Sequence, residues 1–412
     1  MKNMLVVDSA YCYEDLKSRQ LENFVLARDP GNYFSNVLTI HPFAGVQFSS
    51  ELDKNVLYGQ PATYKLDMRN IFIEGKRGRF VWLKKFEKFN YALSLISVLR
   101  LVFDSNRKYK FSVVRAEDAL INGFIAWVIS LLTRTPLIIG IWANFDAIRR
   151  DTKKPIMPRI FKSSRLEKRW EKFILSRAQV VLVGNLDNRK FVMDKGVHFS
   201  KIEVLPVVFN LNEHHLIEPT LRFPIDNDLQ LLGIEDKDLI ICISRLEPVK
   251  LVDHVLRAIP YIRTYERDFR VLILGEGSQL DELIELCREL SVTEKVVFCG
   301  NRSQNWISRL LAHGDIVVSP LTGRALAEAA MGGAAIVAYD MEWQGELIQT
   351  NVTGELVPHH DFVALADSIS HYLSDLPYKK RMGAAARKEI LKKMAAVDIA
   401  AKTNSIYAKV AG

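Results

Sequence analysis

The sequence predicts an α/β protein made of two doubly wound domains, and three observations point that way. A chain of 412 residues exceeds one ordinary core and suggests two domains of roughly 200 residues each. In its second half, short runs that are apolar throughout alternate with segments of helical period, the pattern of a parallel sheet covered on both faces. The first half repeats that alternation less cleanly. With 49% apolar and 25% charged residues, the composition is globular and not disordered.

In chain order, strands are expected at residues 4–7, 37–40, 112–114, 137–141 and 180–183. A Pro- and Asn-containing junction at 206–212 leads into a loop-rich segment reaching about 227. Strands follow at 239–243, 271–274, 296–299, 316–318 and 336–338, interleaved with helices at 252–263, 279–290, 304–313 and 325–331. The expected division is therefore a Rossmann-like domain over 1–208, a second over 209–390, and a C-terminal helix within 391–412 that packs back on the first. The two domains are expected to face each other across a cleft.

Several function classes are excluded at this level. Cys12, Cys242, Cys287 and Cys299 are scattered with no CxxC pair, which suits a reducing compartment and argues against zinc or disulfide stapling. The longest apolar stretches, 91–103 and 123–132, fall short of the ~20 residues of a membrane span. Met1 and Lys2 precede a short apolar run ending at Asp8, which reads as a first strand and not a secretory signal. The expected location is the cytoplasm, with or without peripheral membrane association.

The net charge is +8, and it is uneven. Residues 149–177 hold eleven Lys/Arg against three Asp/Glu, and 76–88 hold Lys76, Arg77, Arg79, Lys84, Lys85 and Lys88 against Glu87. Such a bias suggests an anionic partner. Leu166, Trp170, Phe173 and Ile174 recur at helical spacing opposite Arg165, Lys168, Arg169 and Lys172. A basic amphipathic helix of this kind either lies on an anionic membrane or packs its apolar face on the sheet. Packing is the expected outcome for a helix directly before a strand. Interleaved Trp82, Phe86 and Phe161 nevertheless support reversible membrane contact. No nucleic-acid motif accompanies the charge.

Four features of the second half converge. The strand at 239–243 runs into Ser244-Arg245-Leu246-Glu247-Pro248-Val249-Lys250, where two cations at a strand's carboxyl end can clamp a diphosphate. The strand at 271–274 ends in Gly275-Glu276-Gly277, and that at 296–299 in Gly300-Asn301-Arg302. Both are tight turns with backbone open to a ligand. The strand at 316–318 leads through Ser319-Pro320-Leu321-Thr322-Gly323-Arg324 into an apolar helix carrying Glu328. Amides at that helix start can bind phosphate, and a carboxylate one turn in can accept from sugar hydroxyls.

Over about 239–358 the chain resembles the retaining glycosyltransferases of family 4. The runs "ISRLEPVKLVDHVLRAI", "LILGEGSQLDEL", "VVFCGN", "VVSPLTGRALAEAAMGGAAIVAYDMEWQGELI" and "NVTGELV" carry the likeness, in order and at family-like spacing. A fainter likeness reaches "RAEDALINGFIAWVISLLTRTPLIIGIWANFD" and "LEKRWEKFILSRAQVVLVGN". The resemblance implies the GT-B fold, a UDP- or GDP-sugar donor, and a glycan or lipid-linked acceptor. It implies that Arg245 and Lys250 bind the donor diphosphate and that Glu328 grips the nucleotide ribose. Gly275 and Gly277 would join the nucleotide-sugar site, Gly300 and Asn301 would border the base, and Thr322, Gly323, Arg324, Ala325 and Leu326 would line the phosphates. In the mechanism it implies, the departing phosphate takes the acceptor's proton; no metal cluster is visible in the sequence, so neither metal nor cofactor is expected.

Two positions depart from the family. Eight residues before Glu328, where the family has a second glutamate, stands Pro320. Where the family commonly has a first-domain histidine stands Trp142, with Asn144 and Asp146 nearby as alternative sugar-facing groups. The glycine-rich loop often found near the family's N-terminus is replaced by Asp8-Ser9-Ala10-Tyr11-Cys12-Tyr13. These departures keep two alternatives in view: a catalytically silent partner that binds nucleotide or glycan, and a GT-B epimerase acting on the nucleotide-sugar itself.

Overall fold

The computed structural model describes residues 2–42, 57–158, 160–206, 211–234, 237–263, 268–313, 315–321, 323–396 and 398–412. The chain divides into two compact units, Met1–Val207 with Asp398–Gly412, and Val208–Val397. Of the expected junction at 206–212, residues 207–210 lie outside the described set.

Among the described residues the first unit holds eight strands: β1 (Asn3–Val7), β2 (Asn36–His41), β3 (Ala62–Lys65), β4 (Asn70–Glu74), β5 (Val113–Ala116), β6 (Leu137–Ile141), β7 (Val180–Val183) and β8 (Ile202–Val204). Their order is β3-β4-β2-β1-β5-β6-β7-β8, parallel except for β3, which pairs antiparallel with β4. Strand β1 shows why the run is apolar without alternation. Leu5 and Val7 enter one core with Val98 and Val102 of the helix Glu87–Tyr109, Ile125 and Ile129 of Ile121–Thr133, and Ile174 of Ser164–Arg177. Met4 and Val6 enter the opposite core with Ile406, Tyr407 and Val410 of the helix Ile399–Ala411. Both faces of the sheet are thus covered, as a parallel sheet requires.

The second unit holds β9 (Asp238–Ile243), β10 (Phe269–Leu274), β11 (Val296–Gly300), β12 (Ile316–Ser319), β13 (Ala335–Tyr339) and β14 (Glu355–Val357). The order is β11-β10-β9-β12-β13-β14, and every pairing is parallel. Ile240 and Cys242 face the helices Val252–Ala258, Leu280–Glu289 and Phe362–Ser374, while Leu239 and Ile241 face Gln304–Ala312, Ala325–Gly332 and Leu376–Ala395. Two Rossmann-like units of this kind make the fold expected from the sequence.

Some boundaries differ from expectation. The helix from Val252 ends at Ala258 and tightens into a 3-10 turn over Ile259–Tyr261, because Pro260 has no N–H to continue the ladder. Strands β3, β4, β8 and β14 were not expected; β3, β8 and β14 are short strands at the sheet edges or next to them, with polar residues in β3 and β8.

Candidate functional site

Strand order in the second unit reverses between β9 and β12. From β9 the chain winds outward through β10 to β11, and from β12 through β13 to β14. The two strands lie side by side in parallel, Ile240 opposite Ile316 and Ile241 opposite Val317. The loops leaving their carboxyl ends therefore flank the switch point, where open α/β sheets bind ligands. Those loops carry Arg245 and Lys250 on one side and the entry to Ala325–Gly332 on the other.

Arg245 is exposed and Lys250 half-buried. Among the described residues, neither is paired with a carboxylate at ion-pair distance. Burial, with the Arg245 guanidinium nearby, pulls the Lys250 amine down to about 8, against a smaller opposing pull from Glu342. An anion bound beside it would favour the charged amine and raise that value again.

Gly275 and Gly277 act differently from the sequence reading. A Cβ on Gly275 would stand 1.9 Å from the Ser244 carbonyl oxygen, and one on Gly277 2.3 Å from that of Leu246. Their open backbone is filled by the chain's own cation loop. The Ser244 amide donates to Leu274 O (2.9 Å), that of Leu246 to Glu276 O (2.9 Å) and that of Gln279 to Leu246 O (3.0 Å). Ser278 Oγ donates to Glu247 Oε2 at 2.8 Å. The two glycines thus brace the Arg245 loop. Gly300 turns left-handed at φ +63 and its carbonyl accepts from the Gly275 amide at 2.9 Å, tying the Asn301 turn to the same brace. Arg302 lies over the Trp306 ring, 5.1 Å from its centroid.

On the far side of the switch point, Ala325–Gly332 begins with no side-chain cap from its N-cap residue Arg324, and the first-turn amides of a helix have no intrahelical partner. The Leu326 amide is taken by Gly323 O at 3.3 Å, and the Leu326 side chain is core. Gly323 is exposed, with Arg324 and Ala325 half-buried. Thr322 lies outside the described residues. Glu328 is 3% exposed, so it is not an ordinary surface glutamate, and Arg324 Nε donates to its Oε1 at 3.0 Å. The Arg324 side chain therefore orients the carboxylate.

Sequence reasoning missed Gln344. This fully buried side chain donates to Pro320 O (3.1 Å) and Tyr339 O (2.7 Å) and accepts from Ser319 Oγ at 3.1 Å. It clasps the loop leaving β12. No local pattern marks it, because its partners, two backbone carbonyls and a serine hydroxyl, are brought close only by the fold.

In the first unit, order reverses between β1 and β5, and that switch point is filled by protein charge. Asp8 and Glu117, at the ends of β1 and β5, meet Arg28, and Arg115 Nε reaches Glu117 Oε1 at 2.7 Å. Burial holds Asp8 above the usual carboxylate range. For Glu117, burial acts in the same direction, but Arg115 and Arg28 outweigh it and hold the carboxyl low.

Trp142, Asn144 and Asp146 are engaged within this unit. Trp142 Nε1 donates to Glu117 Oε2 at 2.6 Å. Asn144 caps the helix Phe145–Thr152 and donates to Asp187 Oδ2 at 3.0 Å. Burial alone would raise Asp146, yet hydrogen bonds from Lys195, Lys168 and Arg149 bring it to about 2. Nearby, Arg149 reaches Glu167 at 2.7 Å and Glu171 at 3.0 Å, both carboxylates fully buried. The amphipathic helix Ser164–Arg177 packs Trp170, Phe173 and Ile174 against the sheet core as expected, but Leu166, placed on the same apolar face, is 57% exposed in the helix's first turn. Phe161, expected among the exposed aromatics, is 6% exposed and lies against Trp170.

Comparison with known proteins bears on the same unit and on the fold. Residues 225–389, within the second unit, match the model of the family described as Glycosyl transferases group 1, so the chain carries a glycosyltransferase group 1 domain. An uncharacterised glycosyltransferase of Methanocaldococcus jannaschii is 28% identical over 181 residues, 43% of this chain and 46% of that protein. The D-inositol 3-phosphate glycosyltransferase of Nocardia farcinica is 26% identical over 283 residues, 65% of this chain and 60% of that one. The matches thus span about half to three-fifths of those relatives. Among solved structures, the Anabaena protein HepE with UDP and glucose superposes at TM-score 0.69 and 17% identity, covering 99% of each chain. Sucrose-phosphate synthase of Thermosynechococcus elongatus superposes at TM-score 0.73 and 15% identity, again over 99% of each. The fold is GT-B.

Proposed function

We propose that this protein is a retaining, metal-independent glycosyltransferase of family 4 that moves a sugar from a UDP- or GDP-linked donor to a glycan or lipid-linked acceptor. One observation carries the reading: two cations without a carboxylate partner among the described residues, and a helix whose N-cap residue Arg324 gives it no side-chain cap, bracket the switch point of the unit that matches the group 1 domain. Arg245, Lys250 and the first-turn amides would neutralise the departing diphosphate, and such preorganised stabilisation of developing charge is usually the main catalytic term. Glu328, aimed by Arg324, would accept from the ribose hydroxyls. The bond from the sugar to phosphate oxygen breaks, the acceptor oxygen bonds to the same face, and its proton passes to the phosphate. The reading implies a cytoplasmic protein, working at the membrane face when the acceptor is lipid-linked.

Binding without turnover is a second reading, favoured by two observations. Pro320 offers only a carbonyl, already held by Gln344, and the Trp142 N–H is committed to Glu117.

A thermal-shift panel of UDP, GDP and their sugars tests the binding step, since a ligand of the native state raises Tm. One base is expected to raise Tm, and no shift with either contradicts the proposal. Release of UDP or GDP from the donor in the presence of acceptor separates the two readings. Glu328→Gln should slow that release in a protein that remains folded; release at the wild-type rate would remove Glu328 from the site.

A further inference from the structure

Between β4 and the helix Glu87–Tyr109 the chain displays its apolar residues outward. Trp82 is 75% exposed, Phe86 66% and Phe89 59%, with Phe80, Val81 and Ile96 also exposed. Single exposed apolar residues are ordinary, but a contiguous set marks a contact surface. Phe89, Ala92 and Ile96 share the outer face of the helix, which in a helix bathed by water would be polar.

The display is held in place. Asn90, 1% exposed, accepts from the Phe80 amide at 2.8 Å and donates to Phe80 O at 2.6 Å. A Cβ on Gly78 would stand 2.5 Å from Asn90 Nδ2, so glycine is what admits this clamp. Ser94 Oγ donates to Lys76 O at 2.8 Å, and Leu83 is buried beneath the turn. The aromatics are therefore presented by a fixed turn.

Lys84, Lys85 and Lys88 stand among these rings, exposed and without an ion-pair partner among the described residues. Glu87, the one carboxylate of residues 76–88, is paired with Arg77 at 2.9 Å. Aromatic rings with an unopposed cationic rim match the boundary of an anionic bilayer, where rings sit at headgroup depth and lysines meet lipid phosphates. The 149–177 segment lacks this combination, because its aromatics are packed inward. No helix among the described residues is long and apolar enough to cross a membrane.

We propose that residues 80–96 anchor the protein on an anionic lipid surface, with Trp82, Phe86 and Phe89 entering the interface and Lys84, Lys85 and Lys88 binding headgroups. This anchor belongs to the first unit and the nucleotide site to the second, so either can fail without the other.

Sedimentation of the full chain with phosphatidylcholine vesicles, alone or mixed with phosphatidylglycerol, tests it. Wild type should bind the mixed vesicles and be released at high salt. The exposed triple variant Trp82→Ser/Phe86→Ser/Phe89→Ser should keep its circular dichroism and lose at least about tenfold in partitioning. Lys84→Glu/Lys85→Glu/Lys88→Glu should remove the preference for anionic vesicles, each lysine counting about fivefold at low salt. Brominated lipid should quench wild type more than a folded Trp82→Phe variant. Unchanged binding by the aromatic triple variant, or no binding by wild type, overturns the proposal. It is also overturned if wild type is a dimer by light scattering without vesicles and the triple variant a monomer, since a second copy would then cover the surface.

Discussion

Both sheets reverse their strand order beside a central strand, yet the charges at the two reversals are arranged in opposite ways. Between β1 and β5, Arg28 and Arg115 are buried against Asp8 and Glu117. Between β9 and β12, Arg245 and Lys250 stand without a carboxylate partner among the described residues, beside a helix start without a side-chain cap. A cation satisfied by its own protein serves structure; a cation left unsatisfied at a switch point is available to a ligand. The same residue type thus has a different role in each unit, and environment decides which.

The largest predicted effect falls on another cation of the first unit that its own protein satisfies, Arg149. Arg149→Leu leaves Glu171 with Lys195 as its remaining cation and Glu167 with only the Ile156 and Met157 amides, both carboxylates fully buried, and removing one side of a buried pair costs about 3–5 kcal/mol. Urea unfolding should show this loss, whereas Arg245→Ala should stay within about 0.5 kcal/mol of wild type. Equal losses in the two variants would erase the distinction.

Next in size is Gly277→Ala. Its Cβ meets backbone of Leu246 and not a flexible side chain, so the cation loop must move, at about 1–3 kcal/mol for overpacking. Nucleotide affinity should fall along with stability. A destabilised variant with wild-type affinity would separate the brace from the cations.

A subtler prediction sharpens the comparison by pH. The folded-state pKa of Lys250 is about 8, below its unfolded value, so protonation favours the unfolded chain. Stability of the free protein is therefore reduced below about 8 and recovers as pH rises through that value toward the unfolded pKa. Diphosphate binding runs the other way, because the amine must carry its proton. Affinity should fall by up to about tenfold per pH unit above the folded value, and Lys250→Arg should flatten the profile. Affinity that is constant between neutral pH and the alkaline limb in wild type would take Lys250 out of the clamp.

How much of this was legible in the sequence depended on whether a signal was local. Central strands such as β6 and β7 are buried on both faces, so their apolar runs marked them residue for residue. Short β8 and β14 sit at sheet edges, where less burial leaves less apolar signature. Arg245, Lys250 and Glu328 were legible because each follows a recognisable strand. Gln344 and the Asp8–Arg28–Glu117 set were not, since their partners come from distant segments. The glycines at 275 and 277 were seen as open backbone, but only the fold shows that the chain's own loop fills the opening.

The central claim is that the switch point of the second unit holds a nucleoside diphosphate. Isothermal titration of UDP and GDP into wild type and into Arg245→Ala tests it most directly. The account predicts saturable binding of one of them to wild type, weakened about ten- to a hundredfold in a variant whose Tm is unchanged, as for a lost charge-assisted contact of ~1.5–3 kcal/mol. Undiminished affinity in the folded Arg245→Ala protein would contradict it.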